Sequence, residues 1–313
     1  KYTLRFFLSP PYCNLQVSNH CIFHISEGQK QSHSFPAEMN SCPIFCRFAT
    51  NYSFMNYQYI EFTKDGNIAT IRFNRPEVFN SVNKPMAMEI QEALDRCKDE
   101  DVRCILITGT GKAFCAGQDL NEVVDPNGPE LRSIVKEHYN PIIRRIREIE
   151  KPVICAVNGV AAGAGANIAL SGDIVVAARS ASFVQAFSKI GLIPDSGGTF
   201  FLPRLIGWNR ASALMMTGDK VSADDAILMG MLYKVYEDEV FQDKIKALAA
   251  QMASMPTYGL ALTKKALNAS NVNDLNTQLD LEEQLQTSAG GSYDYNEGVV
   301  AFLEKRMPVF KGK

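Results

Sequence analysis

Two short apolar segments, each leading into a turn of small residues, constrain most strongly what this chain can fold into. Residues 104–108 and 153–158 are continuous apolar runs, followed by the glycine- and alanine-rich stretches 114–120 and 158–167. Apolar runs of this length are typical of strands buried on both faces of a parallel sheet. Residues 130–149, between the two runs, have a helical pattern. Alternation of strand and helix predicts the α/β fold class.

The other segments extend this pattern on both sides. Before the first run we predict a hairpin at 59–74 and an amphipathic helix at 85–97. After the second run we predict a helix and two strands, at 164–171, 174–177 and 182–185. Beyond Pro203 the pattern predicts only helices, at 208–217, 222–229, 240–255, 258–269, 274–288 and 296–306. We therefore expect a core at 56–250 and a helical region at 251–313, which covers a site or forms an oligomer interface.

The overall composition argues against two classes of partner. Of the 313 residues, 46% are hydrophobic and 21% are charged, as in globular proteins with a sizeable core. The formal net charge is −2, so no basic field attracts nucleic acid. No apolar run approaches the roughly 20 residues of a membrane helix. Single cysteines in apolar segments are expected to be reduced thiols of a cytoplasmic protein, at Cys97, Cys104, Cys115 and Cys155.

Residues 1–55 differ from the rest of the chain. They hold three of the four histidines and half of the eight cysteines, namely Cys13, Cys21, Cys42 and Cys46. A zinc module would explain this cluster, but Cys42 and Cys46 are four residues apart and no second pair stands at the spacing of zinc ligands. We expect no metal site, and we expect these residues to be an extension outside a functional domain that begins near Met55.

The two small-residue turns have a catalytic interpretation and a packing interpretation. Backbone N–H groups that no side chain obstructs can stabilise negative charge that develops on a bound oxygen atom. Alternatively, Gly163 and Gly165 permit a helix to pack closely against a strand. Neither residues 109–113 nor this glycine pair matches a nucleotide-binding motif, because a required glycine is absent in each case. Composition alone does not decide between an oxyanion hole and close packing.

Asp195 is the candidate general base. It lies in a loop rich in proline and glycine, beside Ile190, Leu192 and Ile193, and burial among them would raise the pKa of its carboxyl group. The local order Asp-Ser-Gly-Gly favours a helix N-cap instead, which would lower that pKa. His138 lies in a polar helical segment, and we expect it at the solvated surface.

Several motifs together resemble the enoyl-CoA hydratase/isomerase (crotonase) superfamily, over roughly residues 57–313. These motifs are residues 74–76, 113–120, 151–154, 158–159, 193–198 and 297–306. Within the superfamily, residues 184–199 are most similar to the isomerases that act on ring-1,2-epoxyphenylacetyl-CoA in phenylacetate breakdown. The resemblance implies a spiral of ββα repeats and a helical C-terminal region that assembles a homotrimer or a dimer of trimers. It also implies an acyl-CoA thioester substrate, with coenzyme A as part of the substrate and no separate cofactor.

The resemblance also implies roles for individual residues. By position, the N–H groups of Gln118 and Ala164 would form the oxyanion hole, and Asp195 would be the catalytic carboxylate rather than a cap. The coenzyme A site would be lined by Glu77, Val78, Phe79, Ala116, Asp119 and Leu120, with Phe302 and Lys305 near the nucleotide end. Hydratases of the family use two glutamates, whose positions hold Asn167 and Phe187 here. Neither of these side chains can act as a base.

These assignments predict an acyl-CoA isomerase, specifically a 2-(1,2-epoxy-1,2-dihydrophenyl)acetyl-CoA isomerase with enoyl-CoA double-bond isomerase activity. Two alternatives stay open: an enoyl-CoA hydratase of fatty-acid β-oxidation that uses another acid, and a non-catalytic protein of the same fold that binds RNA or acts as a scaffold. The slightly acidic balance argues against RNA. The sequence does not identify the acyl group of the substrate. Two interpretations stay open, a pocket for an aromatic ring and core packing, for Val184, Phe187, Phe200 and Phe201.

Overall fold

The computed structural model describes residues 4–9, 12–17, 21–22 and 57–313. The chain divides into two compact units, Lys1–Met55 and Asn56–Lys313. In the first unit, strands β1 (Leu4–Ser9), β2 (Tyr12–Val17) and β3 (Cys21–Ile22) form an antiparallel sheet. Of the residues considered above for zinc, Cys42, Cys46 and the three histidines lie outside the described residues.

The second unit contains ten strands in two sheets. In chain order they are β4 (Ile60–Asp65), β5 (Ile68–Phe73), β6 (Cys104–Gly109), β7 (Ala113–Cys115), β8 (Val153–Val157), β9 (Val160–Ala162), β10 (Ile174–Ala178), β11 (Ser182–Val184), β12 (Lys220–Ser222) and β13 (Lys234–Tyr236). One sheet has the order β13-β10-β8-β6-β5-β4 and the other has the order β12-β11-β9-β7. The pairs β4–β5 and β11–β12 are antiparallel, and the remaining pairs are parallel.

Consecutive strand pairs explain how the two sheets are built. In β6–β7, β8–β9 and β10–β11 the first strand joins the six-stranded sheet and the second joins the four-stranded sheet. Helical segments separate these pairs along the chain, so the polypeptide advances as a spiral of ββα repeats. The predicted fold class and the predicted hairpin are confirmed.

Helices cover the sheets and make up most of the C-terminal region. They are α1 (Lys84–Arg96), α2 (Leu120–Val124), α3 (Asn140–Glu148), α4 (Ala164–Leu170), α5 (Gly198–Ile206), α6 (Trp208–Thr217), α7 (Ala223–Met229), α8 (Phe241–Ser254), α9 (Thr257–Ser270), α10 (Leu275–Gly290) and α11 (Tyr293–Glu304). A helical turn at Leu131–Ser133 and a π-helix at Ile134–Tyr139 lead into α3. Short 3₁₀ helices lie at Pro76–Val78, Ala186–Ile190 and Asp238–Val240. Among the described residues, none of these helices has the length and apolar character needed to cross a bilayer.

The six-stranded sheet is buried on both faces. Alternate residues of β6, such as Ile105 and Ile107, pack in a large core cluster that includes residues of α1, α3 and α4. The residues that alternate with them along the strand, Cys104 and Leu106, pack in a second cluster against α8. This arrangement explains the continuous apolar run in the sequence. The four cysteines of this unit are buried thiols, and burial raises the pKa of the Cys155 thiol to about 12.

Two predictions about the fold are wrong. The chain beyond Pro203 is not wholly helical, because β12 and β13 are three-residue edge strands, too short to show an alternating pattern. His138 is not solvated: it is 1% exposed, within the π-helix. A π-helix has more residues per turn than an α-helix, which shifts the buried face relative to the α-helical pattern. Burial lowers the pKa of His138, so the imidazole is neutral at pH 7.

Asn80 joins the first 3₁₀ helix to the end of the first buried strand. Its buried side chain accepts a hydrogen bond from the Arg75 N–H (2.8 Å). The same amide donates to the carbonyl oxygens of Thr110 (2.9 Å) and Ala113 (2.8 Å). Asn80 also has a φ of 57°, a left-handed conformation that asparagine tolerates better than most residues.

Asn80→Ala should destabilise the second unit by roughly 2–4 kcal/mol, because it leaves buried backbone groups unpaired and places alanine at a positive φ. Urea unfolding at equilibrium measures this change. The matched control is Asn127→Ala in an exposed loop, which should change stability by less than about 0.5 kcal/mol. Equal stability of the two variants would contradict the structural role of Asn80.

Candidate active site

The two small-residue turns lie side by side. Strands β7 and β9 pair in parallel, with Cys115 opposite Ala161, so the turns that follow them emerge together. At Gly117 the approach is close: a Cβ atom there would lie 3.0 Å from the Ala162 oxygen and 3.5 Å from the Ala164 nitrogen. Gly117 also has a φ of 94°, which side chains disfavour. Glycine at this position therefore allows the two turns to meet.

The backbone N–H groups of Gln118 and Ala164 are both available to a ligand. Val82 forms a parallel bridge with Gln118: its N–H donates to Gly117 and its oxygen accepts from Asp119, so the Gln118 N–H points to the opposite side. Ala164 begins α4, where an N–H group has no partner within the helix. Within residues 57–313, neither N–H group has a hydrogen-bond acceptor. Two neighbouring free donors can bind one oxygen atom.

The side chain of Gln118 is fixed by a buried tyrosine. The hydroxyl of Tyr139 donates to Gln118 Oε1 (3.0 Å), and Gln118 Nε2 donates to Glu122 (2.8 Å). Burial raises the pKa of Tyr139 well above its ordinary value, so the phenol keeps the proton that it donates. The sequence did not indicate Tyr139, because its burial depends on the π-helix.

Asp195 is not the cap of α5. The N-cap residue is Gly197, and the Asp195 carboxylate makes no capping hydrogen bond. The carboxylate instead accepts a hydrogen bond from the Ser196 hydroxyl at 2.9 Å. Burial raises the pKa of Asp195 above the ordinary carboxyl value, although the Ser196 hydrogen bond opposes this shift. The raised pKa is what a general base requires and the opposite of what capping would cause.

One hydrogen bond connects the Asp195 loop to the helix that begins at Ala164. Asn167, one turn along α4, donates from Nδ2 to the main-chain oxygen of Asp195 at 2.8 Å. Phe187 also lies beside the second turn, since its ring is 3.8 Å from the place that a Cβ atom on Gly163 would occupy. Asn167 and Phe187, which the resemblance places at the positions of the hydratase glutamates, are thus buried neighbours of the second turn.

The residues expected to line the coenzyme A site fall into two groups. The N–H of Ala116 donates to the oxygen of Phe79 (3.0 Å), which brings Ala116 next to the turn of Glu77 and Val78. Leu120 begins α2 nearby, and its side chain is exposed. The second group, Phe302 and Lys305, lies at the end of α11, and no hydrogen bond within residues 57–313 joins that helix to either turn.

Asp119 has structural partners of its own. Its carboxylate forms an ion pair with Arg75 at 2.9 Å, where both side chains are largely buried. The other oxygen accepts a hydrogen bond from the Asn121 N–H, which caps α2. The ion pair therefore fixes the turn that presents Gln118. In the described residues, no group of three or more His, Cys, Asp or Glu side chains could hold a metal ion.

The aromatic residues near the site are mostly part of the core. Phe187 and Phe201 belong to the large core cluster or pack directly against it. Phe200 is partly exposed, with the Arg204 guanidinium 3.8 Å from the centre of its ring. Of these rings, Phe187 is the one that contacts the second turn, at Gly163.

Comparison with known proteins identifies the family. Residues 63–313 match the family model for Enoyl-CoA hydratase/isomerase. The 1,2-epoxyphenylacetyl-CoA isomerase of Escherichia coli K12 is 53% identical over 79% of this chain and 95% of its own length. The trans-2-decenoyl-[acyl-carrier-protein] isomerase of Streptococcus mutans is 36% identical over 83% of this chain and its full length.

Solved structures give the same result. The crystal structure of an enoyl-CoA hydratase from Bacillus anthracis matches with a TM-score of 0.78 and 34% identity. The match covers 82% of this chain and 100% of that protein. Isomerases and hydratases are thus both among the relatives. The chain belongs to the enoyl-CoA hydratase/isomerase (crotonase) family and is an enzyme of that family.

Proposed function

We propose that this enzyme is an acyl-CoA isomerase that works through one carboxylate and a two-donor oxyanion hole. In this mechanism the N–H groups of Gln118 and Ala164 bind the thioester oxygen, and Asp195 transfers the proton. Coenzyme A enters as part of the substrate, along the turns that carry Phe79 and Ala116, and no further cofactor takes part.

The proposed reaction moves one proton and one double bond. Asp195 removes a proton from the acyl chain, and the electron pair shifts onto the thioester oxygen to give an enolate. The two N–H groups stabilise that charge more than they stabilise the neutral thioester, which lowers the barrier. Asp195 then returns the proton to another carbon. The product has the same atoms as the substrate.

We propose the epoxyphenylacetyl-CoA thioester as the substrate. Support comes from the 53% identity to the Escherichia coli isomerase that is named for this compound. With such a substrate, the same oxygen-binding site would hold the thioester while the epoxide-bearing ring opens to an oxepin, again without gain or loss of atoms. The double-bond shift of simple enoyl-CoA esters would be a second activity of the same groups.

The observation that carries the proposal is the state of Asp195. Its carboxyl group is half-buried, it caps no helix, and its pKa is raised. Hydration by the two-glutamate mechanism of the family would need carboxylates at 167 and 187, where the chain has asparagine and phenylalanine. An isomerase needs a single carboxylate, which is present.

We also propose that the chain assembles as a homotrimer or a dimer of trimers through its C-terminal helices. Apolar side chains on α9 and α10 are exposed in the single chain, including Leu267, Leu275 and Leu279. Exposed apolar surface of this kind is typical of an interface. Phe302, which is 83% exposed on α11, would be covered or would approach the substrate only in such an assembly.

Asp195→Asn should abolish turnover and leave the affinity for CoA esters nearly unchanged, because the amide cannot accept the proton. In the native protein, the activity should fall as the pH drops through a value above the ordinary carboxyl pKa of about 3.9, since burial raises the pKa of Asp195. Steady-state rates across pH and a binding assay measure both effects. Retained turnover in the variant would rule out Asp195 as the base.

The same variant should not lower the stability of the fold. A carboxyl group whose pKa is higher in the folded chain than in the unfolded chain opposes folding as the pH rises through those values. Removing its charge should therefore leave the Tm at pH 7 equal or higher. Thermal unfolding measured beside the wild-type protein tests this, and a large loss of stability would contradict it.

Gly117→Ala should lower kcat/KM by roughly 10²-fold or more, since the added Cβ would displace the turn that presents an oxyanion donor. The matched control is Gly66→Ala, which places alanine at a positive φ (55°) in the hairpin, where the added Cβ atom meets nothing within 4 Å beyond its chain neighbours. The control should lose some stability through backbone strain and keep its turnover. Equal activity of the two variants would contradict the proposed role of the turn.

A panel of CoA esters separates the candidate reactions. We expect isomerisation of epoxyphenylacetyl-CoA and of 3-enoyl-CoA, and little water addition to crotonyl-CoA, as measured by product chromatography. Rapid formation of 3-hydroxybutyryl-CoA from crotonyl-CoA would establish a hydratase instead. A salt-sensitive shift of RNA with no turnover of any ester would favour the non-catalytic alternative.

A further inference from the structure

We propose that Gln185 and Asn167 are positioning residues that fix the distance between Asp195 and the oxyanion N–H groups. Their side chains form a two-step amide relay, which ends on the main-chain oxygen of Asp195. This inference rests on the proposed function, because it assigns a role to residues that touch the base rather than the substrate.

The relay is buried and its hydrogen bonds are short. Asn167 is 0% exposed and Gln185 is 5% exposed. Gln185 Nε2 donates to Asn167 Oδ1 at 2.8 Å, and Asn167 Nδ2 donates to the Asp195 oxygen at 2.8 Å. Buried amide pairs of this kind hold their partners firmly, because breaking one bond leaves a polar group without water.

The direction of the relay follows from its last partner. The main-chain oxygen of Asp195 can only accept, so Asn167 must turn its NH₂ group towards it. The Asn167 oxygen then faces Gln185, which must present its own NH₂ group in turn. As a result Gln185 Oε1 has no hydrogen-bond partner among the described residues. The unpaired oxygen lies at the far end of the relay from the Asp195 loop.

Both relay residues lie next to the turn that supplies the Ala164 donor. Asn167 lies on α4, whose first residue is Ala164. Gln185 directly follows β11, and the last oxygen of that strand, on Val184, accepts from the Gly163 N–H at 2.8 Å. The relay therefore joins the turn that supplies one donor to the loop that supplies the base.

The loop also packs directly on Asn167. A Cβ atom at Gly198 would overlap the Asn167 side-chain amide, so glycine is needed there for the two to meet. The N–H of Gly198 itself donates to the Asp195 oxygen at 2.8 Å. The Asp195 peptide is thus held by α4 on one side and by the start of α5 on the other.

Loss of the relay should affect catalysis more than folding. A base displaced by about 1 Å can lose up to 10²-fold in rate, because the proton is no longer within reach. Position 167, where family hydratases place a glutamate, here binds the main-chain oxygen of the residue that carries the carboxylate, Asp195. We therefore expect the relay to affect the rate of the chemical step and not the binding of the CoA ester.

Asn167→Leu keeps the size of the side chain and removes both hydrogen bonds. We expect kcat for 3-enoyl-CoA isomerisation to fall roughly 10–100-fold, with KM changed by less than about 3-fold. Gln185→Leu should lower kcat by a smaller factor. The double variant should match Asn167→Leu alone, since Gln185 acts through Asn167. If the losses in kcat of the two single variants multiply in the double variant, the proposed relay is wrong.

Asn167→Asp gives a readout that a merely structural role would not move. The new carboxylate would lie beside the Asp195 loop and should raise the pKa of the base, so the acid side of the kcat profile moves to higher pH. An unchanged pH profile in this variant would count against the proposed contact with Asp195.

A stability control separates positioning from folding. Ile245→Ala opens a cavity in the second core cluster, on the buried side of α8, and should lower the Tm without changing kcat. If Asn167→Leu behaves like this control, with lowered Tm and unchanged kcat, the proposal is wrong. If Asn167→Leu does not fold, Gln185→Leu takes its place in this comparison. A lowered Tm with unchanged kcat in Gln185→Leu would then contradict the proposal.

A failure of the proposed function can be distinguished from a failure of the relay. If the wild-type protein turns over none of the esters, the activity assignment is wrong, and the relay is then tested by amide hydrogen exchange at residues 191–198. Asn167→Leu should speed exchange there, and Ile245→Ala should not. Equal exchange in the two variants would overturn the relay.

Discussion

The structure depends on the close approach of Gly117 to the turn at Ala164. The pairing of β7 with β9 brings the two turns together, and the absence of a side chain at Gly117 lets their backbones meet. The N–H groups of Gln118 and Ala164, which have no acceptor within residues 57–313, then lie on neighbouring turns. The surrounding polar contacts, from Asn80, from the Arg75–Asp119 ion pair and from Tyr139, hold the first of these turns in place.

Much of the fold could be predicted because burial leaves a clear pattern in the sequence. Strands of five or six residues that are buried on both faces appear as apolar runs, and α1 shows the periodicity of a helix with one buried side. The three-residue strands β7, β9, β12 and β13 were not predicted, because a strand so short shows little periodicity and forms only when a distant strand is available. The equally short β11 was predicted, within residues 182–185. His138 was misplaced for a related reason, since the π-helix changes which side of the helix is buried.

The candidate site, like the fold, could be predicted from the sequence only in part. The small-residue turns were visible in the sequence, but their meeting depends on a sheet pairing between residues almost fifty positions apart. At Asp195 the local sequence favoured a cap, and the fold moves the start of α5 two residues further on, which leaves the carboxylate without a capping hydrogen bond. Asn167 had a signal of its own, as the one polar side chain in a helix that is otherwise apolar and wholly buried. Such conflicts between local pattern and burial often mark functional residues.

The central claim is that one thioester oxygen lies between the N–H groups of Gln118 and Ala164, with the Asp195 carboxylate on the acyl side. A crystal structure with phenylacetyl-CoA, which has the thioester but no epoxide, tests this most directly. We predict both nitrogen–oxygen distances at about 2.7–3.1 Å and the carboxylate facing the acyl chain. A thioester oxygen bound elsewhere, or an Asp195 side chain turned away from the acyl group, would contradict the account.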